Sequence, residues 1–286
     1  MKGHVLITGG TGFIGCSLMA AIRSAGYLVT SVSRTVIETD NSCRLDLTNS
    51  LQVSEFIKNS EPIDTIVHCA AIAHGEKAPK GYTISEFNSL MVVNLLSAFT
   101  QKQPHWIFLS SISVYGGNFF NSYIPFDISP KTTDSYGTGK LRDENSLLNA
   151  CQHLDILRLM PTYDAAHMGD LKKRICIPKT DVKIRICPSP SYNFCHVKVV
   201  GVTVLNCLKN AEGKRLHQVG DPNAVFQRDL LEKFSGVSIV IPQVFFKFIL
   251  ILVPRKLKWF SNIRLMLGKL GLPNTYEIGI KSLDQK

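Results

Sequence analysis

The chain has 286 residues, 45% of them hydrophobic, and 32 Lys and Arg against 22 Asp and Glu. That composition excludes a disordered chain and supplies the core of one large α/β domain, or of a nucleotide-binding domain with a smaller lobe. Eight cysteines without a CxxC pair or a Cys/His cluster exclude a zinc module, so no metal is expected, and indicate reduced, cytoplasmic thiols. The net charge of +10 is dispersed, with Lys172-Lys173-Arg174 a short run, and no nucleic-acid-binding motif accompanies it. The excess suits phosphorylated ligands.

An apolar strand over residues 5–7 begins so near Met1 that no signal peptide is expected. It runs into Thr8-Gly9-Gly10-Thr11-Gly12-Phe13-Ile14-Gly15, and residues 13–25 continue with helical periodicity. Gly9 permits the tight turn, Gly12 removes a Cβ where a pyrophosphate approaches, and Gly15 lets helix lie close to strand. The helix start directs N–H groups at the phosphates, so Thr11, Phe13 and Ile14 join the three glycines as candidate cofactor contacts.

Residues 27–33 alternate as a second strand ending at Ser33-Arg34. A loop then carries Asp46-Leu47, and residues 50–60 suit a helix. A third strand over 63–71 ends in small residues, 85–101 is helical, and a fourth strand over 106–109 leads to Ser110-Ser111-Ile112-Ser113. A helix over 134–151 and a fifth strand over 155–159 complete the alternation, which calls for a parallel sheet with right-handed crossovers and ligands beyond the carboxyl ends of its strands. The pattern predicts a Rossmann-type doubly wound α/β domain over 1–165, to which 194–220 returns, and a small substrate lobe from 166–193 and 221–286. The very apolar stretch 237–253 is broken by Pro242-Gln243 and Lys247 and falls short of a spanning helix. Arg255, Lys256 and Lys258 beside it make membrane-surface contact conceivable. A helix of the second lobe, or one buried in a dimer, is the plainer reading.

Tyr136 and Lys140 stand four apart, on one helix face. A phenol near pKa 10 is a poor base at neutral pH, and a neighbouring ammonium lowers that value. Ser111, at the end of a strand, supplies a hydroxyl that can orient a substrate oxygen while Tyr136 moves its proton. An arginine at 34 suits a 2′-phosphate, so NADP is slightly favoured over NAD for a cofactor that exchanges. His68 and His74 are read as structural or loop residues, Cys69 as a small strand-end residue, and Asn94 as an anchor of its helix.

Together the glycine motif, Asp46-Leu47, His68-Cys69-Ala70-Ala71, Val93-Asn94, the segment from Ser110 to Gly116, Tyr136-x-x-x-Lys140 and Leu157-Arg158-Leu159-Met160-Pro161 resemble extended short-chain dehydrogenases/reductases of the NAD-dependent epimerase/dehydratase family. The resemblance implies a catalytic set of Ser111, Tyr136 and Lys140. It further implies adenine contacts at Asp46 and Leu47, cofactor-backbone contacts at Ala70 and Ala71, and Pro161 near the nicotinamide. A nucleotide-sugar substrate under the small lobe and a homodimer through a four-helix bundle are implied as well. Dehydratases of the family carry Asp-Glu where this chain has Ile112-Ser113, which disfavours dehydration and leaves Ser113 toward the substrate. The arginine that usually meets the substrate pyrophosphate is Tyr192 here, and Tyr192 is kept as a candidate substrate contact. Arg174 or Arg185 would substitute, although a surface charge is the plainer reading of each. The resulting expectation is 4-epimerisation of a UDP-hexose or UDP-N-acetylhexosamine in surface-polysaccharide precursor synthesis. A 4-keto-sugar reductase using NADPH is the alternative, and a non-catalytic dinucleotide-binding module a second one.

Overall fold

The computed structural model describes residues 2–35, 41–73, 76–99, 103–116, 123–177, 180–252, 267–268 and 270–284. His74, Val253, Arg255, Lys256, Lys258 and the end of the 85–101 helix at residues 100–101 lie outside them.

Eight strands form the central sheet: β1 (His4–Thr8), β2 (Leu28–Ser33), β3 (Ser42–Arg44), β4 (Thr65–His68), β5 (His105–Ser111), β6 (Leu154–Leu159), β7 (Lys214–Val219) and β8 (Gly279–Ser282). Their spatial order is β8-β7-β6-β5-β4-β1-β2-β3. Every pair is parallel except β7 with β8, which run antiparallel. The chain leaves β1 for β2 on one side and reaches β4 on the other, so the strand order reverses beside β1 and opens a crevice at its carboxyl end.

Burial on both faces explains the apolar strands. Val5 and Ile7 face a core shared with α1 (Phe13–Ser24) and α5 (Val197–Lys209), while Leu6 faces one beneath α2 (Ser50–Asn59), α3 (Ile84–Ala98) and α4 (Ser135–Ala150). Local signals fix the helix starts. Asn49 accepts from the Gln52 amide, Thr83 and Glu86 form a capping box, and Asp134 accepts from the Gly137 amide at 2.8 Å.

Two parts differ from the sequence expectation. Gly279–Ser282 joins the main sheet instead of the small lobe, because its backbone completes the exposed edge of β7. The described part of the 237–253 stretch is not helical throughout. Ser238–Pro242 pairs parallel with Lys183–Cys187, and α6 (Gln243–Leu252) follows at once with Val244, Phe245, Phe248, Ile251 and Leu252 all exposed. Pro242 ends the strand, since it lacks the amide a further ladder bond needs.

At the amino ends of β5, β6 and β7, the buried Asp155 carboxylate takes His105 Nε2 at 2.8 Å, His217 Nε2 at 2.5 Å and two Arg215 donors at 2.7 Å. Hydrogen bonds from those partners hold its carboxyl below the usual range despite the opposing effect of burial. Cys207 Sγ also approaches His217 Nε2, and the ligand-type atoms of Asp155, Cys207 and His217 lie within 4.8 Å of one another. With the carboxylate already saturated by protein donors, this cluster acts as an internal charge clamp.

Candidate active site

The glycine turn sits at the crevice. Gly9 has φ of +71°, and a Cβ there would fall 2.8 Å from the Ala70 amide nitrogen. A Cβ on Gly15 would fall 2.3 Å from the Gly9 carbonyl oxygen, so these glycines are required by the backbone itself. Gly12 is different. Its φ of −78° suits any residue, and an added Cβ would meet only the Gly9 oxygen, at 3.3 Å. It caps α1 with no side-chain hydrogen bond, and no acid occupies the first turn. Bare amides, a positive helix end and the space over Gly12 fit the pyrophosphate of a dinucleotide.

The neighbouring loops close around this turn. The Ala70 amide donates to Thr8 Oγ1, which also meets His68 Nδ1 at 3.0 Å. His68 is buried against Phe108, and burial, aided by the Lys140 charge, brings its pKa down to about 3. It is structural, as its sequence suggests. Asn88 both accepts from the Ile72 amide and donates to the Ile72 carbonyl, which pins the loop beyond half-buried Ala71. Asn94 donates to the Leu47 carbonyl at 2.9 Å, while the Leu47 side chain lies in the core and Asp46, exposed, accepts from Thr48. Thr11 is exposed and receives a 3.4 Å contact from Thr35. Arg34 is exposed directly after β2, with its guanidinium 6.0 Å from the Phe87 ring. Half-buried Pro161 follows β6, its carbonyl accepting from the Cys195 amide.

The chemistry-bearing residues approach from β5 and α4. Ser111 ends β5, and its Oγ takes the Ser113 amide and contacts Ser113 Oγ, both at 3.1 Å. The first turn of α4 packs against this bend so closely that a Cβ on Gly137 would fall 2.4 Å from the Ser113 carbonyl. Tyr136 is therefore held beside the Ser111–Ser113 turn, and Lys140 follows one helical turn later.

The titration of this set departs from the sequence expectation. Burial, reinforced by the Asp134 and Asp170 carboxylates, pushes Tyr136 up to about 12. The ammonium does not depress it because Lys140 is engaged elsewhere. Lys140 Nζ donates to the Leu109 carbonyl at 2.7 Å and lies 4.6 Å from the Phe108 ring centre, and burial lowers its own pKa. Cys69, driven up to about 12 by burial, is no nucleophile.

Beneath the set lies a network that the sequence reading missed. Arg158 donates to Glu144 through Nε at 3.1 Å and Nη2 at 2.6 Å, and through Nη1 to the Tyr115 hydroxyl at 2.7 Å. Ser110 Oγ donates to the same Glu144 at 2.5 Å. All four are buried, so they tie the end of β5 to α4 and fix Ser111 relative to Tyr136. The available signal was an arginine inside the apolar strand 155–159, where a charge needs a partner, and a glutamate four residues after Lys140. Phe13 at the start of α1 also stacks on His167, ring centres 4.1 Å apart, and His167 in turn meets Asp164.

The expected substrate residues divide. Arg174 is buried over the Tyr192 ring at 5.4 Å, not a surface charge. Arg185 is exposed on Lys183–Cys187 and is the surface charge. Tyr192 is corrected: its hydroxyl donates to the Leu270 carbonyl at 2.6 Å inside the small lobe, because an interior phenol must find an acceptor. Ser113 stays at the bend beside Tyr136.

With this geometry in hand, comparison with known proteins gives the class. The model of the NAD dependent epimerase/dehydratase family matches residues 5–162, and the chain belongs to that family. It is 27% identical over 170 residues to UDP-glucose 4-epimerase of Vibrio cholerae, a match covering 57% of this chain and 52% of the relative. The chain thus spans about half the length of that curated relative. The UDP-Glc/GlcNAc 4-epimerase of Campylobacter jejuni superposes with a TM-score of 0.71 at 18% identity, covering 84% of this chain and 87% of that one. MoeE5 in complex with UDP-glucose and NAD gives 0.67 at 21%, covering 96% and 90%. At such identities the structural likeness establishes the fold alone, a Rossmann-type α/β sheet.

Proposed function

We propose that the chain is a nucleotide-sugar 4-epimerase acting on a UDP-hexose or UDP-N-acetylhexosamine, in the making of surface-polysaccharide precursors. What supports this reading is that Ser111 ends β5, that Tyr136 and Lys140 stand in the first two turns of α4, and that β5 is separated by β4 alone from β1, whose carboxyl end runs into the Gly12 turn. Gly9, Thr11, Gly12, Phe13, Ile14 and Gly15 hold the dinucleotide, with Ala70, Ala71, Asp46, Leu47 and Pro161 along its length. When bound, the nicotinamide supplies reversible acceptance and return of hydride.

The chain's residues manage the proton and the geometry. Ser111 orients the sugar 4-oxygen, and Tyr136 takes its proton and later gives one back. A phenol held near 12 is a competent acid but a reluctant base. Lys140 is the cation able to correct this, by turning its Nζ from the Leu109 carbonyl toward the phenol and the nicotinamide ribose. The rate should therefore climb with pH above neutrality, and Lys140→Met should move that climb to higher pH. Arg174, buried over the Tyr192 ring, serves the substrate phosphates in place of the missing arginine.

A second reading, reduction of a 4-keto-sugar nucleotide by NADPH, is favoured by one observation: exposed Arg34 at the corner where a 2′-phosphate would sit. The two separate cleanly. Purified chain incubated in D₂O with UDP-glucose or UDP-N-acetylglucosamine should yield the 4-epimer with protium retained at C4, followed by proton NMR. NADPH consumption with a 4-keto-sugar nucleotide, and no interconversion, would transfer the assignment to a reductase. A two-fold pair through α3 and α4 belongs to the proposal as well, and sedimentation equilibrium tests it.

A further inference from the structure

Among the described residues, exposed large apolar side chains concentrate around α6. Val244, Phe245, Phe248, Ile251 and Leu252 are 57% to 69% exposed. At ~100° per residue they share one arc of about 120°, so this helix turns an apolar stripe outward. On the preceding strand Val237 and Ile239, on one face, and Val240, on the other, are 74%, 48% and 62% exposed. Such a concentration of exposed apolar side chains marks an interaction surface.

Charge selects the occupant. From Lys233 to Tyr276 the sequence holds seven Lys and Arg and no Asp or Glu. Lys233 and Lys247 are exposed, and Lys247 falls at the margin of the apolar arc, where a long stem can lie along the stripe with its ammonium outside. A second copy pairing face to face would bring exposed Lys233 and Lys247 of one copy against those of the other, and residues 233–252 hold no Asp or Glu to answer them. An anionic lipid surface answers both properties. The helix has ten residues, ~15 Å, half the ~30 Å of a hydrocarbon core, and none of the described helices is long and apolar enough to cross a membrane.

We propose that Ser238–Pro242 and α6 form an interfacial docking face for anionic lipid bilayers, with the phenylalanines seated at the headgroup–acyl boundary and Lys247 at the lipid phosphates. The face lies outside the glycine cradle and the Ser111–Tyr136–Lys140 set, so the inference stands apart from the reading of the reaction.

Vesicle flotation of the full chain tests it, with phosphatidylcholine vesicles lacking or containing phosphatidylglycerol. The wild type should float with the anionic vesicles and lose that binding as salt rises from about 0.1 M to 1 M. Phe245→Ser/Phe248→Ser should weaken partitioning about tenfold or more, and Lys247→Glu should weaken binding to anionic vesicles selectively. An unchanged Tm and unchanged NADH binding show that the variants are folded. No flotation of the wild type, or equal flotation of the double variant, would overturn the proposal. So would a wild-type dimer that Phe245→Ser/Phe248→Ser converts to monomer, which would assign the face to a second copy.

Discussion

Gly12 separates what the fold needs from what a dinucleotide needs. Its φ of −78° and ψ of 164° accept alanine, and the nearest atom to a new Cβ is the Gly9 oxygen at 3.3 Å. Exchanging glycine for alanine as an N-cap costs up to ~1 kcal/mol, and the stiffer unfolded chain returns ~0.4–1 kcal/mol. Stability should stay within ~1 kcal/mol, a Tm change below about 4 °C. Binding should behave otherwise. The new methyl occupies the space through which the phosphates reach the first-turn amides, and losing two charge-assisted hydrogen bonds of ~1.5–3 kcal/mol each weakens binding roughly 10²- to 10⁴-fold. NADH fluorescence titration and the Tm rise on adding dinucleotide measure the effect. Gly15→Ala is the contrast, since its Cβ would fall 2.3 Å from the Gly9 oxygen and 2.9 Å from the Gly10 Cα. Relieving that overlap forces β1 and α1 apart and costs ~1–3 kcal/mol even without ligand. A Gly12→Ala protein that binds dinucleotide like the wild type, or unfolds as readily as Gly15→Ala, would refute the assignment of the cradle.

Three further outcomes follow from the charged and buried groups. His68 is neutral in the fold, its pKa brought from 6.5 down to about 3, so its contribution is complete above the unfolded value and drains as pH falls from about 6.5 toward 3. Chemical denaturation across that range should show a slope of up to ~1.4 kcal/mol per pH unit from this group, which His68→Gln flattens. Asp155→Asn removes the charge that faces Arg215 and two histidines and should cost ~3–5 kcal/mol at neutral pH, read by urea unfolding. Because Asp155 titrates below its unfolded pKa of ~3.9, the wild-type advantage should fade only as pH drops below about 4. Arg34→Asp should weaken NADPH binding about tenfold or more relative to NADH, and an equal effect on both would remove Arg34 from the 2′-phosphate site.

The legible parts of the molecule were those where local chemistry and global topology agree. The alternation of apolar strands and capped helices, the turn at Gly9 and the strand-end serines all carry their geometry in adjacent residues, and each falls where its periodicity puts it. What escaped the sequence depends on distant partners. β8 pairs with β7 across 60 or more residues, and a short strand over 279–282 has no periodicity to announce it. The Glu144–Arg158–Tyr115–Ser110 network joins four elements, so only the misplaced arginine hinted at it. Tyr192 occupies the motif position of a substrate-facing arginine, but motif position carries no side-chain direction. Its hydroxyl turns to Leu270, seventy-eight residues away. Lys140 shows the same limit at finer scale: spacing put it on the face of Tyr136, but the Leu109 carbonyl decides where its ammonium rests. For 237–252, hydropathy alone did not separate strand from helix, and the folded chain shows the strand Ser238–Pro242 followed by α6 with its apolar stripe outward.

The central claim is that Tyr136 moves the sugar 4-hydroxyl proton beside a nicotinamide seated on the β1–α1 turn. Tyr136→Phe tests it most directly, because the ring and its packing stay while the oxygen goes. The variant should bind NADH and UDP-sugar as the wild type does and interconvert UDP-glucose with its 4-epimer about 10²-fold or more slowly. A Tyr136→Phe protein that interconverts at the wild-type rate would contradict it.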